Sequence, residues 1–207
     1  MENKFDLAAE FYDAKPEHRE RAIKIAEEII KNTPIGKNWI MADFGCGTGL
    51  LGFQFINIVK CIDMIDTSSK MLEKVNEKVE HLNLHNKIST LMMDIEKTDS
   101  TYYKYDLIVT SMSFHHIPDI ISALSKLKNM IKNDRYLAIA DLNEEDGTFH
   151  DDGITVHNGI NQDFLIKTAT DIGLKLHYKS VPYIIYKKRG EGMRGYPVFL
   201  HIYRRIK

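Results

Sequence analysis

The sequence predicts a doubly wound α/β fold: a seven-stranded sheet, mostly parallel with an antiparallel final strand, with helices on both faces. Three observations lead there. From Trp39 onward, short β-rich runs alternate with stretches of helical periodicity. Strands separated by helices need crossover connections and therefore pair in parallel. The last two β-rich runs have no helix between them, which is the pattern of a hairpin.

Taken in order, residues 5–14 (FDLAAEFYDA) and 17–31 (EHRERAIKIAEEIIK) carry apolar positions at helical spacing, with Ile23, Ala26, Ile29 and Ile30 forming a stripe in the second. WIMADF is the first strand, LLGFQFINIV a helix, KCIDMID the second strand and SSKMLEKVNEKVEHL the next helix. KISTLMM and YDLIVTSMS follow as strands three and four, then PDIISALSKLKNMI as a helix opened by proline, then RYLAIADL as strand five. Residues 161–172 read as a helix with Asn161 as N-cap and Gly173 just past its end. LKLHYKSVPYIIY and GYPVFLHIYRR, joined by KKRGEGMRG, complete a hairpin that sets the last strand antiparallel at or near the edge. Only 142–160 lacks a convincing period, and long irregular loops in compact domains are often functional. One domain over 1–207 is expected, with N-terminal helices in 1–35 and a core over 36–207.

Composition narrows the function. Lys and Arg number 28 against 29 Asp and Glu, a net charge of -1 that gives no electrostatic footprint for nucleic acid and favours a small-molecule substrate. Cys46 and Cys61 form no metal or redox pattern, and no leader-like segment opens the chain, so a reduced, cytoplasmic protein is expected, as monomer or homodimer. No apolar run approaches the roughly 20 residues of a membrane span.

Gly45, Gly47 and Gly49 lie between a strand and a helix, where glycines allow a tight turn and leave backbone N–H groups open to a ligand. The spacing Gly-x-Gly-x-Gly after Asp43 departs from the dinucleotide pattern Gly-x-Gly-x-x-Gly. Asp66, 17 positions after Gly49, ends the second strand, where a carboxylate accepts the two hydroxyls of a ribose. Asp63 competes but lies inside the strand. Asp94 follows the third strand and can meet an adenine amino group, with Met93 and Ile95 around the ring.

DFGCGTG, the acid ending strand two, MDIEK after strand three, YDLIVTSMSFHHIPD across strand four and IADL on strand five together resemble the class I S-adenosylmethionine-dependent methyltransferases. The resemblance covers about residues 5–205 and is nearest the small-molecule branch that includes ubiquinone and menaquinone biosynthesis enzymes, where FDxxAxxYD also recurs, here Phe5, Asp6, Ala9, Tyr12 and Asp13. One departure is visible: KNDRY (Lys132 to Tyr136) stands where the family has Lys-Pro-Gly-Gly. The resemblance implies a Rossmann-like fold and S-adenosylmethionine as cofactor, with S-adenosylhomocysteine as product. Gly45, Cys46, Gly47 and Gly49 would contact its methionine part, Asp43 its amino group, Asp66 with Thr67 and Met71 the ribose side, and Met93, Asp94 and Ile95 the adenine. Ser111 and Met112 would line the sulfonium, and residues 5–13, with Tyr12 toward the substrate, would form a lid.

A sulfonium methyl is already activated, so the protein orients the acceptor and removes a proton where one must be lost. His115 and His116, at the carboxyl edge of strand four, are the candidate bases. His150 and His157 are candidate substrate contacts on the loop after strand five. With Asp151 and Asp152 they could also hold a divalent ion, but His-x6-His matches no specific metal pattern, so no metal is expected. Lys187, Lys188, Arg189, Arg194, Arg204 and Arg205 read as a solvated basic edge that discourages strand pairing. TSMSF after strand four is neither the Asn/Asp-Pro-Pro-Tyr/Phe of base-amino methyltransferases nor the Pro-Cys of cytosine-ring enzymes. The rival readings are a cofactor-binding regulatory protein without turnover and an RNA or protein methyltransferase.

Overall fold

The computed structural model describes residues 6, 9–98, 104–150 and 156–206. Its strands are β1 (Ile40–Phe44), β2 (Cys61–Asp66), β3 (Ile88–Met92), β4 (Tyr105–Ser111), β5 (Ile131–Leu142), β6 (Leu174–Arg189) and β7 (Gly192–Arg205). Four α-helices are described: α1 (Pro16–Lys31), α2 (Ser69–His81), α3 (Ile120–Met130) and α4 (Gln162–Asp171). The sheet order is β3-β2-β1-β4-β5-β7-β6. The first five strands pair in parallel, and β7 enters between β5 and β6, antiparallel to both. The hairpin is as expected, but the final strand lies one in from the edge, which β6 forms.

Alternation along the central strands builds a core on each face. Met41, Met64, Leu107 and Val109 pack with Ile25 and Ile29 of α1 and Val75 and Val79 of α2. Ala42, Ile65, Ile108 and Ile139 point the other way, toward Leu124 and Leu127 of α3 and Leu165 and Ala169 of α4. Residues Tyr105 to Thr110 of β4 are all buried, as expected of a central parallel strand covered on both faces. α1 also ties the sheet edge: the Tyr178 hydroxyl donates to Glu28, and His177 Nε2 lies 3.1 Å from the carbonyl of Asn32, which caps the helix.

Several elements differ from the sequence reading. LLGFQFINIV forms only a 3-10 turn at Gly52–Phe55 with further turns, because the Gly52 amide donates to the Asp43 carboxylate at 2.7 Å instead of starting an α-helical ladder. In 5–14 Asp6 is helical, residues 9–11 form a turn and Tyr12–Ala14 a 3-10 turn, with the rest outside the described residues; Pro16 holds Lys15 extended and so starts α1 afresh. Pro118 precedes α3 rather than opening it, and Asp119 is the cap, accepting from Ser122 N at 2.9 Å. β5 begins earlier, at Ile131, with a register shift against β4. Asp134 takes φ 59° within KNDRY, the conformation that a glycine favours. The edge cations are less solvated than expected: Arg205 is buried and donates to the carbonyls of Lys128 and Ile131, while Lys187 and Arg189 donate to that of Phe149.

Candidate active site

The order of strands reverses between β1 and β4, and the crevice outside the carboxyl ends at such a point is where open α/β sheets bind ligands. A cavity of about 620 Å³ lies there. Asp43, Gly45, Cys46, Gly47, Asp66, Thr67, Met71, Met93, Asp94, Ile95, Ser111 and Met112 line it, together with Tyr12 and His116.

Each carboxylate is held differently. Asp43 is buried, accepts from Gly52 N at 2.7 Å, and its carboxyl is pushed up to about 7, chiefly by burial and further by the charge of Asp66. Asp66 accepts from Gly47 N at 2.8 Å and Ser68 N at 2.9 Å, and burial raises its carboxyl despite these bonds. Asp94 is lowered by its bond to Lys97, 2.9 Å away, and its Oδ1 accepts from Glu96 N at 3.0 Å. Asp63 turns out of the cavity to accept from the Tyr105 hydroxyl at 2.8 Å and Lys104 at 2.5 Å.

The three glycines do different things. A Cβ on Gly47 would meet only Met71 Sδ at 3.9 Å, and φ is 53°, so this loop leaves open space at the cavity wall. A Cβ on Gly45 would strike Ser113 Oγ at 2.5 Å, so its absence lets the β1 loop touch the β4 loop. Gly49 does not line the cavity: its Cβ would meet the Phe53 ring at 2.9 Å and Val75 at 3.3 Å, which makes it a packing glycine rather than a ligand contact. Open backbone at Gly47, acids at the ends of β1, β2 and the loop after β3, and an apolar shelf of Met93 and Ile95 fit an adenosine-bearing cofactor with an amino-acid tail. Met112 has φ 56° beside this space, a strained non-glycine position of the kind found at functional sites.

The N-terminal segment lies against the glycine loop. Asp13 accepts from Thr48 Oγ1 at 2.5 Å and pairs with Lys78 at 2.5 Å, and Asp6 accepts from Ser68 Oγ at 2.5 Å. Tyr12 reaches the cavity with His18 and Arg21, which sequence reasoning missed; Arg21 donates to the Tyr12 hydroxyl at 3.4 Å. The spacing of those two residues was the available signal: three positions apart on one face of α1, six and nine positions after Tyr12. Phe5 lies outside the described residues.

The histidines separate. His116 faces the cavity, but His115 does not: it is buried behind, its Nδ1 2.5 Å from Asp141. Asp141 also accepts from Phe114 N at 2.8 Å and Leu142 N at 2.7 Å. His150 packs on both, ring centroids 5.2 Å from His115 and 5.3 Å from His116, without lining the cavity. His157 is turned away into a separate cleft of about 370 Å³ with Phe164, its Nε2 3.0 Å from the Ile117 carbonyl. Asp141 was missed although IADL contains it; the acid that ends an otherwise apolar strand was the signal. Asp151 and Asp152 lie outside the described residues.

Residues 41–134 match the family model described as a methyltransferase domain. An uncharacterised methyltransferase of Schizosaccharomyces pombe is 32% identical over 114 residues, which cover 52% of this chain and 40% of that protein. A ubiquinone biosynthesis O-methyltransferase of Pelagibacter ubique is 29% identical over 153 residues, 67% of this chain and 62% of that protein. The chain thus matches about half of the length of these curated relatives. A crystal structure of an S-adenosylmethionine-dependent methyltransferase from Aquifex aeolicus superposes with a TM-score of 0.71 at 19% identity, covering 97% of this chain and 98% of that one, which shows the shared fold.

Proposed function

We propose that this chain, which belongs to the class I S-adenosylmethionine-dependent methyltransferases, transfers the methyl group to a small-molecule acceptor. The observation that carries the reading is one cavity bordered both by the cofactor-type residues of β1 to β3 and by His116 after β4. When bound, S-adenosylmethionine supplies an electrophilic methyl group. In this reading Gly47 and Asp66 position the nucleoside end, Asp43 faces the amino group, and Ser111 and Met112 border the reacting end. His116 takes the acceptor's proton, and His115 holds its place behind it through Asp141. The segment that carries Tyr12 and Asp13 covers the loaded site, held through Asp13 on Thr48 and Lys78, and excludes water.

A small acceptor is favoured by the near-neutral composition and by the 620 Å³ cavity, a volume suited to cofactor and metabolite together. Among the described residues no helix is long and apolar enough to cross a membrane. One domain, acting in the cytoplasm, completes the proposal. The test is a metabolite screen by methyl-label incorporation with S-adenosylhomocysteine measured over time. Cofactor binding without product from any pool would favour a regulatory protein, and labelled RNA or protein would replace the small acceptor.

A further inference from the structure

Cofactor binding leaves one cluster unused. His115, His116 and His150 come from two loops, and one ring nitrogen of each lies within 4.8 Å of the others. We propose that these three histidines bind one divalent transition-metal ion of the zinc type, at the acceptor side of the cavity.

The first support is His115. It is 1% exposed, and its Nδ1 is engaged by Asp141, which leaves Nε2 for any other partner. That nitrogen is buried and has no hydrogen-bond partner among the described residues. A buried polar atom without a partner calls for an explanation, and a metal ion is one that a neutral imidazole supplies a lone pair for. The second support is Asp141 itself. A carboxylate on the far nitrogen fixes the ring and raises its basicity, the usual outer partner of a metal-bound histidine. Two backbone amides hold that carboxylate in turn. The third is the donor set: imidazole suits zinc, copper and nickel, and three protein ligands leave a position open.

Ligand nitrogens about 2.0–2.1 Å from a tetrahedral ion stand roughly 3.4 Å apart, so binding draws the set inward. His116 and His150 are half-buried and supply that movement, while His115 stays fixed. An ion on His116 takes the lone pair that the ring needs to act as base, so His116 is the base only in the ion-free chain; in the loaded chain the open position borders the cavity through His116 and would receive water or a donor atom of the acceptor, a point that rests on the methyltransferase reading.

The test uses the untagged chain, stripped with chelator and titrated with Co²⁺, read by its visible absorption and by metal analysis, with Zn²⁺ as competitor. One equivalent should bind. His150→Gln and His116→Gln should weaken it by at least about 100-fold, and Asp141→Asn by about 10- to 100-fold, whereas His85→Gln, in the exposed turn between α2 and β3, should not. S-adenosylmethionine affinity, measured on the same samples by calorimetry, should survive in His150→Gln, which shows that the variant folds. Absence of stoichiometric Co²⁺, or equal binding by the His150 and His116 variants, would overturn the site. Failure of the wild-type chain to bind S-adenosylmethionine would instead overturn the functional reading and leave the metal result standing.

Discussion

The β1–β2 end of the cavity is built from backbone and carboxylates of nearby chain, whereas at the β4–β5 end His116 faces the cavity with two imidazoles from separate positions, His115 and His150, packed behind it. At the first end Gly47 N binds Asp66 and Gly52 N binds Asp43, so the ligand-facing groups hold one another before anything arrives. At the second, His116 and His150 are 34 positions apart and meet only because β4 and β5 are neighbours, Ser111 opposite Ala140. In the proposed reading, binding is thus concentrated in a preformed loop, and proton or metal chemistry in a cluster that can adjust.

The largest expected effect breaks the first end. Gly47→Val should weaken S-adenosylmethionine by more than about 1,000-fold, since the side chain fills the space at the wall. The fold should lose only the 1–2 kcal/mol or so of a left-handed residue. Gly49→Val is the contrast: overlap with Phe53 should cost about 1–3 kcal/mol in stability first. Calorimetry and thermal melts of both variants separate the two; equal affinity in Gly47→Val and wild type would reduce the loop to a turn.

The next effect tests the second end. In the ion-free chain His116→Gln should lower turnover about 100- to 10,000-fold with cofactor affinity nearly intact, and should remove an acid limb in the histidine range. In the ion-free chain His115→Gln should slow turnover but retain that limb, because its ring there acts through position rather than contact. His157→Gln should matter least, given its place in the other cleft. A retained acid limb in His116→Gln would move the base elsewhere.

Smaller again is Asp66→Ala, expected to weaken the cofactor roughly ten- to a few hundred-fold through loss of charge-assisted bonds of about 1.5–3 kcal/mol. Asp63→Ala should leave affinity alone and disturb only the contacts to Tyr105 and Lys104. The reverse ranking, by calorimetry, would exchange their roles.

The same contrast explains what could be read from the chain. Asp43, the glycines and Asp66 are legible because strand, turn and helix lie consecutively, so local spacing carries their geometry. Even there Gly49 looked like its neighbours, since its Cβ direction depends on Phe53 and Val75 packing beneath it. The parallel pairing follows from crossover rules, but the helix after the glycines failed because a tertiary bond, Asp43 to Gly52, claims its first turn. His150 joining His115 and His116, and His157 leaving them, depend on loop packing that no period encodes.

The smallest expected effect concerns Asp43, where the free protein already stores a proton. Its carboxyl is raised from 3.8 to about 7, so between these values the native state holds a proton that the unfolded chain has released. Without cofactor, this group therefore lowers stability as pH rises through that window, and the loss is complete above about 7. A cationic amino group beside it reverses the preference: the carboxylate form is favoured, and binding expels the proton. Affinity for S-adenosylmethionine should accordingly rise from pH 6 toward 7, by at most about tenfold per pH unit, and level off near 8, where the amino group begins to lose its own charge. Calorimetry in two buffers of different ionisation enthalpy should register proton release at pH 6.5 that vanishes in Asp43→Asn. Proton release that persists in Asp43→Asn would assign it to Asp66 instead, whose carboxyl is also raised by burial.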